Sequence, residues 1–533
     1  MPMKDLAKHL SRRATPQTSP IPGREAHMVL NEAGGYTFAV DDWVRLDRFL
    51  FLGSEGGAYY ATERTLTLQN AQCVERCVEA DGARTVARIA EVSESGRAPK
   101  NDPALLALAI AAKHGDESTR KAALAALPRV ARTATHLFAF AEAIEQLGGW
   151  GRGTRRAVAE WYRDRDLESL TYQAVKYRQR NGWTHADMLR LSHAQPENAD
   201  YDALFRWMAR GEMPADAARF RLLDGFACVQ KAESADAAAE LVRGYRLPWE
   251  ALPTQYLDSA EVWEALLEGM PMMALIRNLA TMTRVGLLSP RSEATSTVVA
   301  QLGDEARLRK ARVHPMAVLI ALRTYASGKG LRGRHTWEPV QKIVDALDAA
   351  FYTTFANVEP TGKRLLVAVD CSGSMSGGAV AGVRGLTPRE AAAAMALIAL
   401  RTEPNAEILG FTVNVKDLRI SSRQRLDDAV KAVTAVATGE GTDCSIPMRW
   451  AMDRKADFDG FAIYTDGQTW AGPQHPVQAI AAYRGTRVQA ARMVSAAFVA
   501  YGNSVVDGSD AGMLDVVGFD TAAPVLISDF LRG

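Results

Sequence analysis

Asp370-Cys371-Ser372-Gly373-Ser374 sets a carboxylate and two hydroxyls at alternating positions of one short segment. Three hard oxygens on one loop, with Gly373 easing the turn, can face a single cation. Two later segments add matching donors: Gly439-Glu440-Gly441-Thr442-Asp443 carries a hydroxyl, and Tyr464-Thr465-Asp466-Gly467 carries a carboxylate. Asp370, Ser372, Ser374, Thr442 and Asp466 form an oxygen-only donor set without histidine or cysteine. Such a set suits Mg2+ best, or Mn2+, and not zinc. Serine and aspartate at strand ends also cap helices and close turns, so the reading rests on three segments together. Cys371 reads as a small buried residue, because only a low-pKa thiolate reacts and no histidine stands near it in sequence.

A second chemistry lies in the most basic stretch, residues 150–193. Arg152, Arg155, Arg156, Arg163, Arg165, Lys176, Arg178, Arg180 and Arg190 outnumber the acids there. On helices, Lys176 and Arg180 (i,i+4) and Arg190 and His193 (i,i+3) would each share a face. Thr184 with Asp187 reads as a capping box that opens a helix. Cations on neighbouring helices can follow phosphates, and arginine planes can stack on bases. Trp150, Trp161 and Trp183 interleave with this stretch and read first as packing anchors. A further basic cluster runs through 307–335, and His136 and His314 read as core histidines.

These residues need elements to hold them. From about Asp41 to Thr354, apolar residues recur at helical spacing in segments of 10–20, as in 103–113, 119–131 and 235–246. So many short helices suggest pairs stacked as an α-solenoid. After Pro360 the texture changes. Residues 364–369 form a strand buried on both faces and ending at Asp370. A helix over 387–402 follows, with Thr387, Pro388 and Glu390 at its start, then a strand over 406–415 and helices over 421–436 and 445–455. A strand over 460–465, a helix over 476–483 and an apolar run at 493–500 complete the pattern. Strands alternating with helices predict an open, mostly parallel sheet, whose carboxyl edge binds ligands. The parts meet near 356–361.

The chain has 533 residues, 47% hydrophobic and 23% charged, with 63 basic against 62 acidic residues. That length allows roughly three domains, or an array plus one domain, and the composition excludes global disorder. A net charge of +1 advertises no polyanionic partner globally, so any basic surface must be local. Five cysteines (Cys73, Cys77, Cys228, Cys371, Cys444) are too few and odd in number for a disulfide framework, and point to a reducing, cytoplasmic setting. No apolar run is long enough to cross a membrane, and no secretory signal is expected. Residues 1–21, with Pro16 and Pro20, read as a flexible arm.

D-x-S-x-S after a buried strand, then a loop threonine, then a strand-end aspartate, resembles the metal-ion-dependent adhesion site of von Willebrand factor A domains. Longer segments carry a second resemblance: NEAGGYTF (31–38), LGSEGGAYY (52–60), NAQCVERCVEADG (70–82), GWGRGTRRAVAEWY (149–162), AVKYRQRNGWTHADMLRLSH (174–193), GLRGRHTWEP (330–339), GEGTDCSIPM (439–448) and GMLDVVGFDT (512–521). In order, they resemble the Ro autoantigen (TROVE-domain ribonucleoprotein) family, in a bacterial form. The resemblance implies a ring-shaped α-solenoid of HEAT-like repeats over 22–356. It also implies a C-terminal α/β von Willebrand factor A-like domain over 357–533.

For the metal site, the resemblance implies that the serines and threonine touch the cation and the aspartates act directly or through water. For RNA, it implies Y RNA bound on the ring's outer surface through Lys176, Arg180 and His193. Arg152, Arg155, Arg156, Arg178 and Arg190 stand beside them as further contacts. Single-stranded 3′ ends of misfolded noncoding RNA would enter a basic central hole, and a 3′-to-5′ exoribonuclease would be the protein partner. The chain departs from the animal pattern within DCSGSM and at Gly467, which leaves the hydroxyl ligands in place. These features favour a monomeric, non-catalytic RNA-binding scaffold in RNA quality control, away from membranes. The competing reading is a metal-dependent protein-interaction module. A nuclease is disfavoured, since no paired carboxylates, Ser-His-Asp arrangement or P-loop lysine has its motif context.

Overall fold

Leu365–Asp370 and Gly460–Thr465 are buried at every position, as the continuous apolar runs predict for strands covered on both faces. In a computed structural model, the described residues are 14–52, 71–95, 100–330, 335–377, 380, 386–436, 441–499, 503–518 and 523–533. The sequence segments 52–60 and 330–339 and the loop at 439–440 fall wholly or partly outside them. The strands among these residues are β1 (Met28–Leu30), β2 (Tyr36–Ala39), β3 (Gln179–Arg180), β4 (Trp183–Thr184), β5 (Leu365–Asp370), β6 (Ala406–Phe411), β7 (Val415–Lys416), β8 (Gly460–Thr465), β9 (Arg492–Ala497), β10 (Asn503–Ser504) and β11 (Met513–Val517).

The chain divides into two compact units. The α/β unit is built on a sheet of order β11-β9-β8-β5-β6-β7, parallel except for the short edge strand β7. Three of its helices begin within a residue of where the sequence expects, whereas the one expected over 421–436 begins only at Leu426. Thr387 and Glu390 form a reciprocal capping box at Pro388–Thr402, and Pro476 opens Pro476–Thr486. The strand expected over 406–415 is split, because Thr412 turns the chain back by a backbone bond to Asn414. From β5 the chain moves to β6 on one side, and it later returns to β8 on the other. That reversal opens the crevice where open α/β sheets bind ligands, between the carboxyl ends of β5 and β8.

Two boundaries differ from the sequence reading. The α/β unit takes in the N-terminal residues together with 312–323 and 350 onward, so it begins upstream of the 356–361 junction. The N-terminal part joins it through strand pairing: β2 pairs with β1 and with β10. Arg48, in the helix Asp42–Leu52, reaches Asp515 at 2.5 Å with both side chains almost fully buried. The arm expected to be flexible is, from residue 14, fixed: Thr15, Gln17 and Ile21 are buried. Its prolines and polar residues mimic a linker in composition, but its backbone is hydrogen bonded to 472–478. Residues 1–13 lie outside the described residues.

The second unit, within 66–311 and 324–349, is almost wholly helical. Short helices follow one another with side-chain caps: Asp116, Thr133, Asp166, Thr184, Asn198, Ser234, Ser259, Ser292 and Asp304 each accept from an amide of the next turn. Each cap satisfies an otherwise orphaned donor, worth about 1 kcal/mol. Phe138, Phe140, Trp161 and Tyr162 fill the interior near the basic stretch. Trp161 is therefore an anchor: it donates to the Ala131 carbonyl at 2.5 Å, and Arg165 lies over its ring.

Candidate metal centre and RNA-binding surface

Asp370 ends β5 and is fully buried. One carboxylate oxygen accepts from the Ser372 amide at 2.8 Å, and the other from the Thr465 hydroxyl at 2.7 Å. Ser372 and Ser374 lie on the following turn with hydroxyls 3.1 Å apart. Asp466, just past β8, accepts from the Gln468 amide and from Ser374. Thr442 is buried, its carbonyl held by the amides of Trp470 and Ala471 at 3.0 and 3.1 Å. Asp370, Ser372, Ser374 and Asp466 are thus linked to one another. Thr442 arrives on the adjoining loop, which a bond from the Asp443 amide to the Thr412 carbonyl ties to the end of β6.

Burial raises the pKa of Asp370, and the charge of Asp466 raises it further; burial likewise raises Asp466. The interactions that oppose this at Asp370 are hydrogen bonds from Ser372 and Thr465, not a cationic side chain. Neither buried carboxylate is ion-paired with a lysine or arginine among the described residues, the buried Arg389 donating instead to the Ser372 carbonyl at 3.3 Å, and two such carboxylates with paired hydroxyls fit a hard divalent cation. No cluster of three or more His, Cys, Asp or Glu of metal-binding type occurs among the described residues, in keeping with an oxygen set that relies on hydroxyls. Cys371 is buried with its pKa pushed up to about 12, chiefly by desolvation, so it is no nucleophile.

The basic stretch takes a different form from the one expected. Lys176 is the last residue of the helix Leu167–Lys176, and Arg180 lies on β3 of a two-stranded hairpin, so they do not share a helical face. The reason is Asn181-Gly182. Both residues have positive φ (52° and 82°) and close a two-residue turn between β3 and β4. An Asn-Gly pair is a strong hairpin signal in any sequence, and it outweighs the helical spacing here. Thr184 and Asp187 do form the capping box that opens His185–Ser192. His193 ends that helix in the left-handed conformation with its side chain exposed.

Arg152, Arg156, Arg178 and Arg190 are exposed, and Arg155, Lys176 and Arg180 are half-buried. Arg155 donates to the Leu191 carbonyl at 2.6 Å, which ties the helix Arg152–Arg163 to the turn carrying His193. Lys176 lies 3.8 Å from Glu250 and bonds the Tyr172 hydroxyl, while Arg180 is ion-paired with Asp102. Arg156 pairs with Glu160 and Arg190 approaches Asp187 at 3.7 Å. Arg152 makes no ion pair among the described residues. Arg178 makes none among them either and lies over the Phe226 ring. Trp150 and Trp183 pack on each other, with Trp183 donating to Glu142. In the second cluster, Arg323 is neutralised by Glu390 and Asp427, whereas Arg309, Lys310 and Arg312 are exposed. Arg332 and Arg334 lie outside the described residues.

His136 and His314, expected in the core, are half-buried, and desolvation pushes the pKa of each down to about 4. His185 carries no such mark in the sequence. It is buried between the Tyr162 hydroxyl and the Tyr177 carbonyl, and burial brings its pKa to about 4 as well.

A mostly helical body with exposed basic residues, joined to an α/β domain with a hydroxyl–carboxylate site, is the architecture of a TROVE-type RNA-binding protein. The TROVE domain model matches residues 29–324, and a model described as the Ro60 vWA domain matches 364–531. The chain belongs to the Ro60/TROVE family. It is 43% identical over 534 residues to the RNA-binding protein RO60 of Deinococcus radiodurans, covering all of both chains. It is 34% identical to the RNA-binding protein RO60 of Caenorhabditis elegans, over 95% of this chain and 90% of that one. The crystal structure of the Deinococcus radiodurans RO (RSR) protein is similar with a TM-score of 0.79 and 44% identity, covering 92% of this chain and all of that one. No helix among the described residues is long and apolar enough to cross a membrane.

Proposed function

We propose that this chain is a non-catalytic RNA-binding scaffold of RNA quality control. It would hold a small structured RNA of the Y class on the helical unit and the single-stranded 3′ ends of misfolded noncoding RNAs in a basic opening of that unit. Lys176, Arg180 and His193 would grip the structured RNA, with Arg152, Arg155, Arg156, Arg178 and Arg190 around them. The observation that carries this reading is the set of exposed cations between 152 and 193, of which Arg152 and Arg178 have no acid to neutralise them among the described residues. Cations held on a folded surface follow phosphates, and a flexible tail can enter where a duplex cannot. A 3′-to-5′ exoribonuclease would consume the captured RNA, so the scaffold itself needs no reaction.

The α/β unit would hold Mg2+, or Mn2+, through Ser372, Ser374 and Thr442, with Asp370 and Asp466 acting directly or through water. When bound, the cation would offer a coordination position to an acidic group of a partner. The buried carboxylate pair supports this second, protein-interaction role. The test of the RNA reading is ultraviolet crosslinking in cells followed by sequencing of the attached transcripts. Enrichment of small structured RNAs and of 3′-tailed noncoding fragments is expected. Recovery no greater than from an uncrosslinked sample would overturn the proposal.

A further inference from the structure

The segment Thr15–Ile21 is the least conspicuous part of the α/β unit in sequence, and it holds the most buried polar side chain of the N-terminal region. Gln17 has no solvent exposure. Its amide nitrogen donates to Asp443 Oδ1 at 2.7 Å and to the Gln474 carbonyl at 2.9 Å, and its amide oxygen accepts from the Thr469 hydroxyl at 2.6 Å. The backbone is fixed equally well, since the Gln17 amide donates to the Gly472 carbonyl and its carbonyl accepts from Tyr36. Thr15 and Gln478 exchange two hydrogen bonds, and His475 Nε2 meets the Ser19 carbonyl at 2.8 Å.

Both of Gln17's side-chain partners stand beside the candidate metal ligands. Asp443 follows Thr442 directly, and its Oδ1 also accepts from the Ser445 amide and hydroxyl. Thr469 lies three residues after Asp466; its hydroxyl accepts from the Cys444 amide and also lies 3.3 Å from the Thr442 carbonyl. A carboxamide alone offers one acceptor and two donors in the fixed geometry this pocket uses. A side chain on residue 472 would collide with both Asp443 and Gln17, so the three segments close tightly around this one amide.

We propose that Gln17 is a positioning residue for the metal centre. Its carboxamide clamps the 441–445 loop to the 466–472 loop, so that Thr442 and Asp466 are held at a fixed separation before a cation arrives. The inference rests on the metal reading given above. Groups that orient metal ligands without touching the ion commonly govern affinity by about 10- to 100-fold. Here that control would come from a segment more than 400 residues distant in sequence.

The test is Mn2+ titration of the full chain, read by the electron paramagnetic resonance of free Mn2+. Gln17→Met keeps the side-chain volume and removes every side-chain hydrogen bond, and should weaken Mn2+ binding by about tenfold or more. Tyr483→Phe removes a buried hydroxyl of the same unit that bonds Phe458 and Ala456, away from the loops. It should lower the melting temperature without altering Mn2+ affinity. RNA affinity should be unchanged in both, as a check that the chain is folded. Should Gln17→Met fail to fold, Thr469→Val, which removes the hydroxyl that bonds Gln17 Oε1 and also accepts from the Cys444 amide, carries the same expectation. Wild-type binding that is lost in Thr442→Ala but retained in Gln17→Met or Thr469→Val overturns the positioning role alone. A wild type that takes up no Mn2+ overturns the metal reading and this inference with it.

Discussion

Replacing Asp102 with Asn and Glu250 with Gln should tighten RNA binding, although neither residue is basic. Asp102 faces Arg180, and Glu250 lies 3.8 Å from Lys176. Arg180 and Asp102 are 35% and 29% exposed, and Lys176 and Glu250 are each 23% exposed. Such half-exposed pairs are worth roughly 0.2–1 kcal/mol each, and a phosphate that recruits either cation must first displace its acid. Removing both competitors returns about 1 kcal/mol in all, which corresponds to roughly fivefold in affinity at fixed salt. Loss of two negative charges from a surface that meets a polyanion acts in the same direction. Asp102 also sits in the first turn of Asp102–His114, so its neutralisation should cost about 0.3–1 kcal/mol of helix-dipole stabilisation. The variant should therefore melt slightly earlier while binding better. The assay is equilibrium titration with a labelled small structured RNA at salt concentrations from about 50 to 200 mM. A folded double variant with unchanged or weaker affinity would refute the assignment of Lys176 and Arg180 to the RNA grip.

Other expectations follow from the same geometry. Replacing Lys176, Arg180 and His193 together with alanine should lower RNA affinity and flatten the salt dependence, by roughly 0.9 in log–log slope for each phosphate no longer neutralised. An unaltered slope in filter-binding titrations would show that these side chains meet no phosphate. Gly182→Val forces a branched side chain into positive φ, at a cost of about 1–2 kcal/mol. It should shift Arg180 and weaken RNA binding, and native binding by this variant would show that the hairpin geometry is irrelevant. Saturating Mg2+, at about 100 times its dissociation constant, should stabilise the α/β unit by about 2.7 kcal/mol, seen as a rise in melting temperature that Thr442→Ala abolishes. Acid should destabilise the helical unit. The pKa of His185 is about 4 when folded and about 6.5 when unfolded, so the unfolded chain takes up the proton first. Stability is then lost as pH falls from about 6.5 toward 4, by roughly 2 kcal/mol at pH 5 from this group. A urea midpoint that stays constant between pH 7 and pH 5 would contradict it.

Much of the architecture can be read from local pattern. The doubly buried strands 365–370 and 460–465 are continuous apolar runs with aspartate at or just past their ends, and the capping boxes at Thr387 and Thr184 are written in four residues each. The candidate metal residues are legible for the same reason, since each ends or follows a strand or lies on a marked loop. What escapes local reading is long range. Gln17 looks like part of a polar linker because its partners are Asp443 and Thr469, and nothing in its own neighbourhood announces them. Arg48 can be buried because Asp515 and the Asn503 carbonyl, both far along the chain, receive its guanidinium. The Lys176–Arg180 spacing misleads for a different reason: helical periodicity does not extend to Asn181-Gly182, where turn chemistry overrides it.

Capture of unpaired 3′ ends is decided by binding of the purified chain to two labelled RNAs, a small hairpin with an unpaired 3′ tail and the same hairpin without it. The tailed RNA should bind more tightly, with an affinity that falls linearly in log–log salt, and should be recovered at full length after prolonged incubation with Mg2+. Retention of neither RNA in dilute buffer, or steady shortening of the tail by the protein alone, would contradict it.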